Sequence, residues 1–113
     1  MMDTRVFELR TYHAHPGRMP ALHERFRQHT CKLFEKHGMT LIGFWRPRDP
    51  GDADKKMTYL LAYPSKEAAE KSWAAFRADP DWIRARDASE ADGAIVARIE
   101  SVFLNPTDYS PLR

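Results

Sequence analysis

The chain has 113 residues, enough for one domain and too few for a second hydrophobic core. It is 42% hydrophobic and 30% charged, which excludes a disordered composition, and eighteen Lys and Arg against sixteen acids leave a net charge of +2. No basic block gathers in the sequence, so nucleic acid is not expected as a partner. The single Cys31 excludes an internal disulfide and an all-cysteine metal site. Inside an apolar helical pattern it reads as a buried, inert thiol, at home in a reducing cytosol. No uncharged apolar run approaches the ~20 residues of a membrane span. Met1-Met2-Asp3-Thr4 leads straight into a strand pattern without a targeting leader, so a soluble cytoplasmic protein is expected.

Val6 to Tyr12 alternates, with Phe7, Leu9 and Thr11 on one face and Val6, Glu8, Arg10 and Tyr12 on the other, which predicts a strand. His15-Pro16-Gly17 ends it in a turn. From Met19 the period changes: Leu22, Phe26, Thr30, Leu33, Phe34 and His37 recur at three- and four-residue steps, one face of an amphipathic helix. Pro20 suits its first turn and Gly38 its C-cap. Thr40 to Arg46 is a short apolar strand, and residues 47–52, with two prolines and a glycine, are loop chemistry. Met57 to Tyr63 is a third strand, forming a hairpin with the second. Ser65 caps a helix lined by Ala68, Ala69, Ser72, Trp73 and Phe76, with Glu67 near its positive end. Asp79-Pro80 breaks it, and a short helix follows to about Glu90. Ala94 to Leu104 is the last strand, and an extended, proline-restricted tail follows at 105–113.

The order β-α-β-β-α-β predicts one α+β domain over 1–113, its core at about 4–104. The fold is ferredoxin-like: a four-stranded antiparallel sheet with both helices on one face. A sheet with a wet face should alternate polar and apolar residues. The middle strands do not: Ile42 and Phe44 oppose Leu41 and Trp45, and Leu60 and Ala62 oppose Tyr59 and Leu61. Exposing Ile42, Phe44 and Leu60 would forfeit about 1.5–3 kcal/mol each. A homodimer that buries this face is therefore expected. The tail is expected to dock through Tyr109, on its own subunit or across that interface.

Glu8-Leu9-Arg10-Thr11-Tyr12 with Pro16-Gly17, His37-Gly38-Met39, Gly43-Phe44-Trp45, the run Phe76 to Trp82, Ser89-Glu90-Ala91-Asp92-Gly93 and the run Leu104 to Pro111 together resemble the NIPSNAP family. The resemblance covers essentially the whole chain. It implies a dimeric α/β-barrel in which two ferredoxin-like sheets pack face to face. Related barrels include cofactor-free monooxygenases, isomerases and haem enzymes. Fold alone does not assign one of those activities to this chain.

The histidines lack metal-ligand spacing. His13 and His15 have no acid or cysteine close by in sequence, and His23, His29 and His37 are six and eight apart on their helix. His37 reads as a partner of the helix C-terminal carbonyls rather than a haem ligand. No metal and no cofactor is expected. No nucleophile elbow or phosphate-cradling loop is present in the sequence. The remaining candidates are aromatic and cationic. Tyr12, Trp45, Tyr59 and Trp73, edged by Arg10 and Arg98, either pack the core and dimer or wall a pocket for a small aromatic or apolar ligand. Glu8 with Arg10 and Arg98 with Glu100 read as a cross-strand ion-pair ladder, or as anchors for an anion or carbonyl. Two functions remain: a ligand-binding or interaction module, and a cofactor-free monooxygenase- or isomerase-type enzyme acting on a small aromatic substrate.

Overall fold

The computed structural model describes residues 4–113. Strands β1 (Val6–Ala14), β2 (Thr40–Trp45), β3 (Lys56–Tyr63) and β4 (Val96–Leu104) form one sheet in the order β2-β3-β1-β4, with each neighbouring pair antiparallel. This is the split β-α-β arrangement. One continuous rod spans residues 19–36: α1 (Met19–Arg25), a π-helical turn (Phe26–Thr30) and α2 (Cys31–Lys36). Pro20 sits in its first turn. At its end Gly38 takes φ +83°, while Met39 and Gly38 donate to the carbonyls of Phe34 and Glu35 at 3.0 Å each. That pairing is a Schellman cap, and the positive φ is why glycine stands there. The π turn frees a backbone acceptor, and the buried Thr30 hydroxyl donates to the Arg25 carbonyl at 3.3 Å.

Beyond β2 a single helical turn, α3 (Pro50–Ala53), stands where loop was expected; the Asp49 side chain caps it by accepting from the Gly51 N–H at 2.9 Å. Helix α4 (Lys66–Ala78) starts at Ser65, whose hydroxyl accepts from the Ala68 N–H. Helix α5 (Pro80–Ser89) starts at Asp79. The Asp79 carboxylate does more than cap: it accepts from Lys36 Nζ at 2.8 Å and His37 Nε2 at 2.7 Å, tying the end of α2 to the start of α5. His37 is thus held by a carboxylate and not by helix carbonyls.

The core lies between sheet and helices. Leu22, Phe34, Tyr59, Leu61 and Tyr63 are fully buried there. Phe26 packs its ring 5.3–6.1 Å from those of Tyr12, Phe34, Phe44 and Tyr59.

Two strand readings change. In β2 the register to β3 shifts between Leu41 and Gly43, leaving Ile42 as a bulge. The extra residue reverses the phase, so Leu41 and Phe44 both join the helix-side core, and Phe44 stacks on Tyr59 at 5.1 Å. Phe44 therefore does not belong to the helix-free face. The expected ion-pair ladder is not formed either. Glu8 and Arg10 point to the helices, whereas Arg98 and Glu100 lie on the opposite face beside His13, with His13 Nε2 3.1 Å from Glu100 Oε1. Tyr109 makes no packed contact with its own subunit, being 83% exposed. The tail is held instead by Arg5 Nε donating to the Arg113 carbonyl at 2.9 Å.

Leu22→Ala should lower the unfolding free energy in urea by about 2–5 kcal/mol, the cost of a cavity at a fully buried leucine. A loss within measurement error would place the long helix in another phase.

Candidate functional site

Strand period puts Glu8, Arg10 and Tyr12 on the helix side of β1. There Arg10 stands opposite Tyr59 of β3 and Ser101 of β4, and Glu8 opposite Leu61 and Phe103. The neighbours converge on a buried carboxylate. Glu8 Oε1 accepts from the Tyr63 hydroxyl at 2.6 Å and from Trp73 Nε1 at 2.8 Å. Glu8 Oε2 accepts from the Ser101 hydroxyl at 2.5 Å and from Arg10 Nη1 at 2.9 Å. Arg10 Nε donates to the Tyr59 oxygen at 2.7 Å and Nη2 to the Tyr12 oxygen at 3.1 Å. The two phenols are bonded to each other at 2.9 Å, and the guanidinium lies 4.2 Å from the centroid of the Trp73 ring. Cation–π contact and charge-assisted hydrogen bonds act together here.

Burial alone would raise the Glu8 carboxyl. The hydrogen bonds from Ser101, Tyr63 and Arg10, with the Arg10 charge, outweigh it and hold Glu8 below its ordinary value near 4.5. Burial disfavours a charged Arg10 too, yet the phenols of Tyr12 and Tyr59 and the Glu8 carboxylate push its pKa up. Burial first, then Tyr12, drives Tyr59 well above the usual phenol range, and burial with Glu8 does the same to Tyr63. All four shifts run away from neutral pH. General acid–base work needs a group poised close to the working pH.

Of the residues picked from sequence, Arg10, Tyr12, Tyr59 and Trp73 meet in this network. Trp45 and Arg98 do not. Trp45 is 54% exposed at the outer edge of β2, its indole laid back over Gly43, where a Cβ would come within 2.6 Å of the ring. Arg98 sits on the other face with Glu100. Tyr63 and Ser101 were not picked, although register to β1 would have pointed to both.

Cys31 is half-buried, and burial with the nearby Glu35 raises its thiol, which disfavours the nucleophilic thiolate. Among the described residues no three His, Cys, Asp or Glu side chains group as metal ligands. Ligand-sized clefts lie outside the network. One of about 340 Å³ beside Trp45 is lined by His23, Arg27, Phe44 and Arg46, with burial, Arg46 and Arg27 lowering the His23 pKa. Two more lie between the long helix and α5.

Sheet order and one-sided helices put the chain in the ferredoxin-like α+β class. Within that class it belongs to the NIPSNAP family, whose profile matches residues 7–111. It is similar to a NIPSNAP family protein of unknown function from Agrobacterium tumefaciens, with 21% identity, a TM-score of 0.82 and coverage of 100% of this chain and 97% of that one. An uncharacterised NIPSNAP-like domain protein from Burkholderia xenovorans is alike at 20% identity and TM-score 0.81, over 97% of this chain and 91% of that one. More distant is SnoaB, a cofactor-independent oxygenase from Streptomyces nogalater, at 15% identity and TM-score 0.65, over 96% and 98% of the two chains. At these identities the likeness carries the fold alone. No curated protein matches the chain.

Glu8→Gln would leave the Arg10 cation buried without its counter-ion and should cost about 3–5 kcal/mol in urea unfolding. Because folding lowers the Glu8 pKa, its contribution is present above about pH 4.5 and is lost as pH falls through the folded value. Wild-type stability should therefore drop more steeply on acidification than that of the variant. Parallel acid profiles would remove Glu8 from the list of stabilising carboxylates.

Proposed function

We propose that this chain is a homodimeric module that binds a small aromatic or apolar ligand without transforming it. The observation that supports this reading is the state of the Glu8–Arg10 network. Every carboxylate oxygen is bonded, and Glu8, Arg10, Tyr59 and Tyr63 are all shifted away from neutrality. Such a cluster braces a scaffold and leaves ligand recognition to the clefts around it. The alternative, a cofactor-free monooxygenase or isomerase, draws support from the shape shared with the Streptomyces oxygenase, and it would need a proton-exchanging group that this network does not supply.

Self-association is supported by the helix-free face. Leu9 and Leu60 lie there with Val102 and Leu104, which are 49% and 42% exposed. Contiguous exposed apolar surface of this kind marks interaction sites. The exposed Tyr109 of the tail would find its packing across the same interface. A reducing cytosol suits the single, protonated Cys31. No helix among the described residues is long and apolar enough to cross a membrane.

Sedimentation at micromolar concentration should give a dimer. Val102→Asp, at a position open to solvent in the single subunit, should give a folded monomer by circular dichroism. A monomeric wild type would defeat the dimer. A panel of small aromatic compounds in a thermal-shift assay should contain stabilisers, since a ligand that binds only the native state raises the melting temperature. Turnover of any of them would move the chain to the enzyme class.

A further inference from the structure

The groove between the π turn and α5 contains a buried cation with poor compensation. Arg25 closes α1 with its side chain 5% exposed, and its guanidinium lies 5.1 Å from the centroid of the Trp82 ring. Nη1 reaches the Ser89 hydroxyl at 3.2 Å and Glu90 Oε2 only at 3.5 Å, beyond the usual range for a hydrogen bond. Nε is buried without a partner, and Nη2 makes no hydrogen bond among the described residues. A buried guanidinium is tolerated when it is paired and fully bonded; this one is paired with Glu90 only at 3.5 Å and is not fully bonded. Burial accordingly lowers the Arg25 pKa despite Glu90, and Arg86 adds to the positive field.

Arg25 also lines a cleft of about 330 Å³, floored by Ala21, Ala85 and Ala88. A second cleft, of about 440 Å³, shares Ala85 and Ala88 with it and runs on to Leu33 and Lys32. The floor is apolar and low because its side chains stop at Cβ. The π turn forms the opposite wall through Gln28 and His29, and such turns recur at functional sites.

We infer that this groove binds a small organic monocarboxylate, its carboxylate pairing with Arg25 and its apolar body lying over Ala85 and Ala88 towards Leu33. The inference rests on the reading of the chain as a ligand-binding module and names the ligand class and the place. Charge complementarity selects a single negative charge. One guanidinium is undercompensated, while Glu24 on the rim and Glu90 nearby would repel a dianion. The volume of the two adjoining clefts suits a ring or a short acyl chain.

Octanoate and benzoate are the probes, measured by isothermal titration calorimetry on the full chain, with benzamide and phenyl phosphate as neutral and dianionic controls. Wild type should bind at least one carboxylate and neither control. Ala88→Leu fills the floor at an exposed position, so it should keep the wild-type melting temperature and lose the heat of binding. Glu90→Gln removes the competing carboxylate and should tighten binding severalfold. Arg25→Gln should abolish it if the variant folds; the other two substitutions decide the matter if it does not. Absence of carboxylate binding to wild type overturns the inference, as does equal affinity in Ala88→Leu or no gain in Glu90→Gln. If neutral aromatics stabilise the protein while carboxylates do not, the module reading stands and this site falls.

Discussion

A carboxylate and a guanidinium two residues apart on one strand sit in the middle of the layer between sheet and helices, and their demands organise what surrounds them. Two ions taken out of water destabilise a fold unless every lone pair and N–H has somewhere to go. Glu8 therefore draws on three other elements at once: Tyr63 at the end of β3, Trp73 on α4 and Ser101 on β4. Arg10 draws on the phenols of β1 and β3 and on the face of the same indole. The pair thereby joins three strands and a helix through directional bonds, where hydrophobic packing alone would permit sliding. A network satisfied in this way specifies one arrangement of its elements, and a half-satisfied one would be worse than an apolar core.

The remaining sheet surface follows from what the helices do not cover. Helices pack over β1, β2 and β3, while β4 keeps Ile99, Val102, Phe103 and Leu104 open on its two faces. An apolar edge strand is a liability in an isolated chain. It is an asset once a second sheet lies against it. The segments flanking β1 and β4 meet near that edge: Arg5 lies 5.2 Å from the ring centroid of Phe7 and bonds the Arg113 carbonyl.

Much of this architecture was legible in the residues. Alternation in β1 and β3, the three-to-four spacing from Leu22 onward, the cap at Ser65 and the break at Asp79-Pro80 all agree with the elements found, because local propensity and burial pattern point the same way there. Phe44 was misplaced for a physical reason. A strict period of two has no term for a bulge, and the one residue added at Ile42 turns every later side chain over. The charges in β1 and β4 were paired by strand neighbourhood, when the register separates them onto opposite faces. The burial of Glu8 was hidden because its four donors come from residues as far as 93 positions away in sequence. Only three-dimensional convergence makes that site dry enough to matter.

The π turn at Phe26–Thr30 makes the long helix a two-part object. Each residue of an α-helix advances the side-chain direction by about 100°. One residue held in a wider turn therefore lets Leu22 and Phe26, before and within it, and Leu33 and Phe34, beyond it, address the same core. A regular helix of the same sequence would shift everything beyond the turn by about 100°, keeping Leu33 in line with Leu22 and moving Phe34 off that line. Length is thus quantised along this rod. Losing a single residue within the turn would restore regular winding and keep both apolar faces aligned, whereas gaining or losing one elsewhere would swing Arg25 or Phe34 out of its place. Changes in length among relatives of this chain should accordingly gather in those five positions and spare the turns on either side.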